Sequence, residues 1–426
     1  MKDSGIEWIG AIPDSWRLNK IGQLFNLRNE KVSDKDFAPL SVSRGGVVPQ
    51  MESVAKSDAS DDRKLVLIGD FAINSRSDRK QSCGVSPLNG SVSLINLILY
   101  AKDSNVIYND YMNYLLKNYG FAEEFYRWGH GIVADLWTTR WQEMKSIMLP
   151  LPSLEMQKKI FDFLNKKILE VNNLIEIENN QIEKLKEYKQ AVITEAVTKG
   201  LDKSAPMKDS GVEWIGEIPE DWNICKIKYV ADSDVENSFI DGDWIESGDI
   251  SPEGIKYFTT GNVGDGNFKY QGNGYITEET FTKLNCKFAF GGDFIISRLN
   301  QPYGRSCIIP NGIDKCVLAV DIVILRPKTE FEKRYLCYTT QCPNYQQAVG
   351  DKSRGTAMKR ISRNNLGNIF LIKPPHNIQC QIADYLDKKC SEIDTLAKIK
   401  QKKIDMLNEY KKSLIYEYVT GKKEVV

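Results

Sequence analysis

The chain opens with MKDSGIEWIGAIPDSW, and residues 207–222 read MKDSGVEWIGEIPEDW, with twelve of the sixteen positions identical. An internal copy constrains architecture more than any local propensity, so it is followed first. Gly69-Asp70-Phe71-Ala72-Ile73-Asn74-Ser75-Arg76 is echoed by Gly292-Asp293-Phe294-Ile295-Ile296-Ser297-Arg298. Further on, Pro152 through Thr198 matches Pro374 through Thr420 at a constant offset of 222, so that Gln157, Ile160 and Leu164 correspond to Gln379, Ile382 and Leu386. The offset rises from 206 (Trp8 to Trp214) to 222, which places sixteen extra residues in the second copy, ahead of its tail. A period this long is a tandem domain duplication with expected two-fold pseudo-symmetry, not a solenoid. Similar ends around diverged middles mean one frame with two different contents. Gly200-Leu201-Asp202-Lys203-Ser204-Ala205-Pro206 has the composition of a linker, with glycine just past a helix end and then serine and proline. The division that follows is 1–150 and 205–373 for two domains, and 151–204 and 374–426 for the tail of each.

The tails read as long helices. Ile160, Leu164, Ile168, Val171, Ile175, Ile182, Leu185, Val192 and Ala196 recur at spacings of three, four or seven, and Ile382, Leu386, Ile393, Ala397, Ile404, Leu407, Leu414 and Tyr418 repeat the pattern. A narrow apolar seam flanked by balanced Lys and Glu, without Gly or Pro, marks a coiled coil. Ile168, Val171, Ile175, Ile182 and Leu185 are expected to pair with Ile393, Ala397, Ile404 and Leu407. Residues 160–197 would span roughly 57 Å at 1.5 Å per residue. The seams carry polar breaks at Glu178 and Lys189, and at Lys400 and Lys411. Antiparallel pairing would bring Glu178 to Lys400 and favour that register; two solvated heptad defects fit equally well.

The middles mix short β-like runs, such as Val92–Leu99 and Cys316–Leu325, with helical, aromatic stretches around 109–128 and 331–349. Each copy is therefore an α+β domain, and tyrosines at helical spacing such as Tyr111 and Tyr335 are expected in its core. At 426 residues, 42% hydrophobic and 27% charged, the chain has material for several cores. No stretch approaches 18 apolar residues, and the opening lacks the basic-then-apolar layout of a signal peptide. Nine cysteines without a C-x-x-C pair, and only His130 and His376 beside them, argue for a reduced, cytoplasmic protein without a metal site. Net charge is zero, yet Asp351–Arg363 holds Lys352, Arg354, Lys359, Arg360 and Arg363 against one acid, a basic stripe of the kind that meets phosphates.

Catalytic signatures are missing. There is no G-x-x-x-x-G-K-[ST] to cradle phosphates. Gly261-Asn262-Val263-Gly264-Asp265-Gly266 opens no helix and reads as a surface hairpin, and Gly129-His130-Gly131 reads as a turn. Asn300-Gln301-Pro302-Tyr303 is one residue off the element with which adenine methyltransferases hold the base amine, but no glycine-rich cofactor loop accompanies it. No catalytic residue, cofactor or metal is expected on this chain.

The paired openings Ile6–Trp16 and Val212–Trp222, with the Pro-x-x-x-x-Gln-x-x-Ile starts of the helices (Pro152/Gln157/Ile160 and Pro374/Gln379/Ile382), resemble the repeat motifs of type I restriction-modification specificity subunits. The resemblance covers the whole chain. It implies a non-catalytic subunit whose two target-recognition domains each read half of an asymmetric, bipartite site in double-stranded DNA. It also implies an antiparallel helix pair that sets the non-specific gap. The partners implied are two methyltransferase subunits and two translocating nuclease subunits, which would hold S-adenosylmethionine, ATP and Mg²⁺. Within this frame the loops after the shared Ser-Arg diverge, and Arg, Asn and Gln there suit bidentate contacts to guanine or adenine. Arg79, Lys80 and Gln81 are the candidates in the first copy, and Asn300, Gln301, Tyr303 and Arg305 in the second. Arg76 and Arg298 are shared, which suits a phosphate contact or a structural ion pair. Arg354, Thr356, Lys359 and Arg360 form a second DNA-facing segment, with Thr138 and Arg140 as first-copy counterparts. The rivals are a self-sufficient methyltransferase or nuclease and an adaptor that binds proteins only.

Overall fold

The computed structural model describes residues 1–50, 62–131, 137–272, 274–355 and 358–425. It separates into two compact units, residues 1–179 with 400–426 and residues 180–399. Compactness thus groups the chain differently from the consecutive segments 1–150, 151–204, 205–373 and 374–426. The reason is local to each unit: each α+β domain closes its core with the terminal turns of the other copy's helix.

In the first unit a four-stranded antiparallel sheet is formed by β1 (Phe25–Arg28), β4 (Phe71–Asn74), β5 (Cys83–Val85) and β6 (Asn96–Ala101), in the order β5-β4-β6-β1. Between β1 and β4 the chain makes a separate hairpin of β2 (Leu40–Ser43) and β3 (Gly46–Pro49). Helices α1 (Asn109–Leu115) and α2 (Tyr119–Arg127) bury Tyr111, Phe121 and Phe125 completely. The α2 start is capped by Asn118, whose side chain accepts from the Phe121 N–H at 3.0 Å. The long helix α3 (Leu154–Lys199) follows.

The second unit repeats this frame. β7 (Phe239–Asp241), β8 (Phe294–Ser297), β9 (Ser306–Ile308) and β10 (Ile322–Leu325) form an antiparallel sheet in the matching order β7-β10-β8-β9. Helices α4 (Lys333–Thr340) and α5 (Pro343–Asp351) follow, and then α6 (His376–Val419). The runs Val92–Leu99 and Cys316–Leu325, read above as single β stretches, are each cut in two. Turns at 93–95 and 319–321 end one strand and begin another in a different sheet, and Asn96 N–H to Ser93 C=O and Ile322 N–H to Ala319 C=O close them. Apolar periodicity alone does not show where a run changes sheets.

The repeated motifs have matching jobs. Gln157 is fully buried; its amide donates to the carbonyls of Val106 (2.9 Å) and Pro152 (3.1 Å) and accepts from the Tyr108 N–H. Gln379 does the same with Glu330, Pro374 and the Glu332 N–H. In the first unit Trp8, Ile9, Ile12 and Trp16 share a core with Leu414 and Val419, and the Tyr111 hydroxyl donates to the Val419 carbonyl at 3.3 Å. In the second, Ile215, Ile218 and Trp222 share one with Val192, Ile193, Ala196 and Val197, and Tyr335 donates to Val197 at 3.2 Å.

Along both long helices the expected seam is the sheltered one. Val171, Ile393 and Ile404 are buried, and Ile168, Ile175, Ile182, Leu185, Ala397 and Leu407 are half-buried, while off-seam Leu169, Ile177, Ile399 and Met406 are exposed. Within the first unit α3 and α6 run antiparallel, with Lys411 on Asn172 at 3.0 Å and Lys400 on Glu178 at 3.2 Å. Lys403 reaches the second Glu178 oxygen at 2.5 Å, so the mid-helix break is an ion-pair clamp on a sheltered carboxylate, with its lysines partly exposed, and not two separate solvated defects. Its lysines, Lys403 first, hold the Glu178 carboxyl below the usual carboxylate range. In the second unit Lys189 pairs with Asp394 at 2.8 Å.

Candidate nucleic-acid interface

In the first unit the chain leaves β4 at Asn74 and turns through a short 3₁₀ segment, Ser77–Arg79, before β5. The turn is supported from beneath by the Tyr126 hydroxyl, which lies 3.2 Å from the Asn74 carbonyl and 3.1 Å from that of Arg79. Residues 137–139 are stitched beside it: Ser77 N–H donates to Trp137 C=O (2.9 Å) and Thr139 N–H to Ser75 C=O (3.0 Å), with Arg76 bridged to Thr138. Two segments about sixty residues apart in sequence therefore form one edge. Arg76 and Arg79 lie 3.5 and 3.6 Å from Asp78, and Lys80 lies 3.1 Å from Glu123. Arg79, Lys80 and Arg140 are exposed, and Gln81 takes a left-handed backbone (φ 62°) that a side-chain-bearing residue adopts only when its surroundings enforce it. Arg140 stands at the start of a one-turn helix, its N–H on Glu143 at 3.0 Å.

The second unit builds the same edge with different chemistry. Asn300 N–H donates to Lys359 C=O and Ile361 N–H to Arg298 C=O, both at 3.0 Å, and Arg354 and Arg360 exchange backbone hydrogen bonds. Asn300 (φ 57°), Gln301, Arg354 and Lys359 are exposed. Arg360 pairs with Asp321 at 2.5 Å. Thr356 lies outside the described residues.

Three candidates turn out to be structural. Arg298 is 5% exposed, 3.0 Å from Asp241 and 3.6 Å from Asp321, and it donates to the carbonyls of Val320 and Ile361. A guanidinium so enclosed has no face left for DNA, so of the two readings for the shared arginine the ion pair is right here. Arg305, expected to read bases, instead donates to the carbonyls of Thr260 (2.9 Å), Val263 (2.7 Å) and Leu299 (3.0 Å), tying the 260–271 loop to the divergent one. Tyr303 lays its ring against Gly350 on the rim of the core, so closely that a Cβ there would come within 2.6 Å.

Other exposed groups at these edges were not singled out by sequence. In the first unit a groove of about 730 Å³ runs between the β2–β3 hairpin and the Ser77–Arg79 turn, lined by Arg44, Gln50, Asn74, Arg76, Arg79 and Asn96 among others. The signal was there: Arg44-Gly45 between alternating Leu40–Ser43 and Gly46–Pro49 has the form of a two-residue hairpin tip. In the second unit the expected hairpin at 261–266 is closed by a Val263–Phe268 bridge and exposes Lys269 and Tyr270.

Among the described residues no group of three or more His, Cys, Asp or Glu is arranged to hold a metal, and no helix is long and apolar enough to cross a membrane. Fold and site together define a duplicated α+β protein with one frame and two exposed, polar, divergent edges. Residues 219–421 match the family model described as type I restriction modification DNA specificity domain. The chain is 28% identical over 283 residues to the MjaVIII specificity subunit of a type I restriction enzyme from Methanocaldococcus jannaschii, covering 65% of this chain and 62% of that protein. It is 25% identical over 446 residues to the provisionally named MjaX specificity subunit of the same organism, covering 97% and 95%. Its fold resembles a chain solved in work on complex assembly and conformational transition of the type I R-M system, with TM-score 0.71 at 16% identity, covering 96% of this chain and 98% of that one. Residues 219–421 thus resemble a type I restriction modification DNA specificity domain, and the two relatives that extend the likeness along the chain are specificity subunits of type I restriction enzymes.

Proposed function

We propose that this chain reads an asymmetric, two-part DNA site, one part per unit, and holds the catalytic subunits of a type I restriction-modification complex over it. The observation that carries this reading is the pair of matched edges. In each unit the loop after the shared Ser-Arg and a segment about sixty residues later meet at one surface, and their side chains differ between the copies. A constant frame with variable Arg, Asn and Gln suits base readout from the major groove. Helix α3, at 46 residues and about 1.5 Å each, is roughly 69 Å long. That is long enough for a ruler between half-sites one or two turns of B-DNA apart, one turn being about 34–36 Å. In this reading two methyltransferase and two translocating nuclease subunits dock on the chain in the cytoplasm. S-adenosylmethionine, ATP and Mg²⁺ belong to those partners.

The test is the host's genome-wide N6-methyladenine pattern by single-molecule sequencing, with the gene intact and deleted. Loss of a motif made of two short words and a fixed gap is the expected outcome. An unchanged pattern in cells that express the partner methyltransferase would sink the reading and leave a protein-only adaptor.

A further inference from the structure

The β2–β3 hairpin is a two-stranded ribbon that among the described residues pairs with no other strand, running in register from Leu40↔Pro49 to Ser43↔Gly46. Leu40, Val42 and Val47 seat the ribbon along its length in a small apolar cluster with Val66, Val92 and Ile98. Its tip is stiff. The Ser43 hydroxyl donates to the Gly46 carbonyl and accepts from the Gly45 N–H, both at 3.1 Å, and Gly46 sits at φ 114°, where a side chain would be strained. Arg44 stands exposed at that tip. Its Nε leans 3.4 Å from the Lys80 carbonyl, which ties it to the divergent loop.

The charges around it distinguish two kinds of DNA contact. Arg76 and Arg79 share Asp78, and Lys80 pairs with Glu123, so the neighbouring cations are already matched by acids. Phosphate contacts draw on cations whose charge is not already neutralised, whereas base reading depends on the geometry of donors and acceptors. Among the described residues Arg44 has no carboxylate partner, and the edge of its guanidinium that carries both Nη atoms points at no protein acceptor. That edge is the one that makes the bidentate contact to guanine O6 and N7, and the major groove admits a two-stranded ribbon.

The second unit supplies the control. Gly84 of β5 approaches Gly46, its Cβ position lying 3.0 Å from the Gly46 Cα, and the Gly266 N–H donates to Ser306 of the matching strand β9 at 2.9 Å. Each hairpin thus lies against the matching strand, and the second tip, Gly264-Asp265-Gly266-Asn267, has no arginine of its own. A residue that makes two words differ should be present in one copy only.

Resting on the DNA-reading function proposed above, we infer that Arg44 recognises a guanine in the half-site read by the first unit. It does so from the hairpin tip, outside the loop that the divergence of the copies marks.

The experiment is the same methylation map, made in cells that carry Arg44→Ala or Arg44→Lys in the full-length chain beside wild type and deletion. In parallel, the purified complex is titrated with duplexes substituted at each position of each word. Relaxation at one G·C position of one word, with the other word intact, is expected; the intact word also shows that the chain is folded and assembled. Discrimination at that position should fall on the order of 10- to 100-fold for Arg44→Ala and by less for Arg44→Lys, since lysine can still bond guanine but lacks the fixed planar fork. Both words unchanged in the variants but lost on deletion would overturn the inference while sparing the function. Equal weakening on all sequences, with a salt slope reduced by about 1, would make Arg44 a phosphate contact and overturn it as well. Loss of both words in both variants would assign Arg44 to folding or assembly, also against the inference. No dependence on the gene at all would instead remove the function.

Discussion

Arg76 and Arg298 are the same residue of the same frame, yet they do different work. Arg298 is sealed between Asp241 and Asp321 and holds the carbonyls of Val320 and Ile361. The Arg76 side chain is 40% exposed and, among the described residues, has one acid, Asp78, within 4 Å. The difference lies in residues supplied from elsewhere, because Asp241 and Asp321 come from other strands and turns of the second unit, whereas Asp78 is a neighbour in sequence. A shared residue marks a shared backbone position. Whether it serves the fold or faces a ligand depends on what the diverged segments place beside it.

The largest effect that can break this comparison is on stability. Arg298→Ala removes a buried guanidinium and its hydrogen bonds to Val320 and Ile361, while Asp321 and Asp241 keep Arg360 and Arg363, and should cost about 1–3 kcal/mol. Arg76→Ala should cost less than about 1 kcal/mol. Denaturant unfolding of the two variants measures the gap, and equal losses would mean that the Arg298 clamp contributes nothing.

A second contrast sets the mid-helix clamp against the matched polar pairs on either side of it. Hydrogen bonds from Lys403 and Lys400 depress the Glu178 carboxyl in the folded chain. A depressed carboxyl stabilises above its unfolded pKa, and that stabilisation is lost as pH falls through the folded value. Stability of the wild type should therefore drop more steeply on acidification than that of Glu178→Gln, as measured by melting temperature across pH 7 to 3. Parallel curves would show that the clamp carries no net interaction.

The smallest effects belong to the exposed cations of the two edges. Arg140→Ala and Lys359→Ala should change stability by less than about 0.5 kcal/mol. If they meet phosphates, each should lower the salt slope of DNA binding by about 1 without altering either word. A changed word would move that residue from the backbone-gripping set to the base-reading one.

Much of the frame was legible beforehand because its signals are periodic or repeated. The seam from Ile168 to Leu185 and from Ile393 to Leu407 needed only heptad spacing, and the doubled opening announced two domains. Glu178 and Lys400 were noticed as breaks, but two meanings stayed open until Lys403 was seen to join them. At the edges, divergence pointed to the loops after the shared Ser-Arg, yet within them Arg305 and Tyr303 proved to face inward. The hairpin that carries Arg44 drew no notice, since a two-residue tip is a weak signal beside a long loop.

By itself the sequence determined the duplication, the α+β character of each copy, the helix pairing and the absence of a recognised catalytic motif. These follow from patterns that neighbouring residues and aligned copies carry in one dimension. Tertiary structure alone decided which arginines are free. The acids that neutralise Arg298 and Arg360, and the Thr260 and Val263 carbonyls that bind Arg305, lie 20 to 60 positions away and meet them only when the strands pair. Charge is written in the chain, but its availability to a ligand is set by burial and by partners brought from a distance.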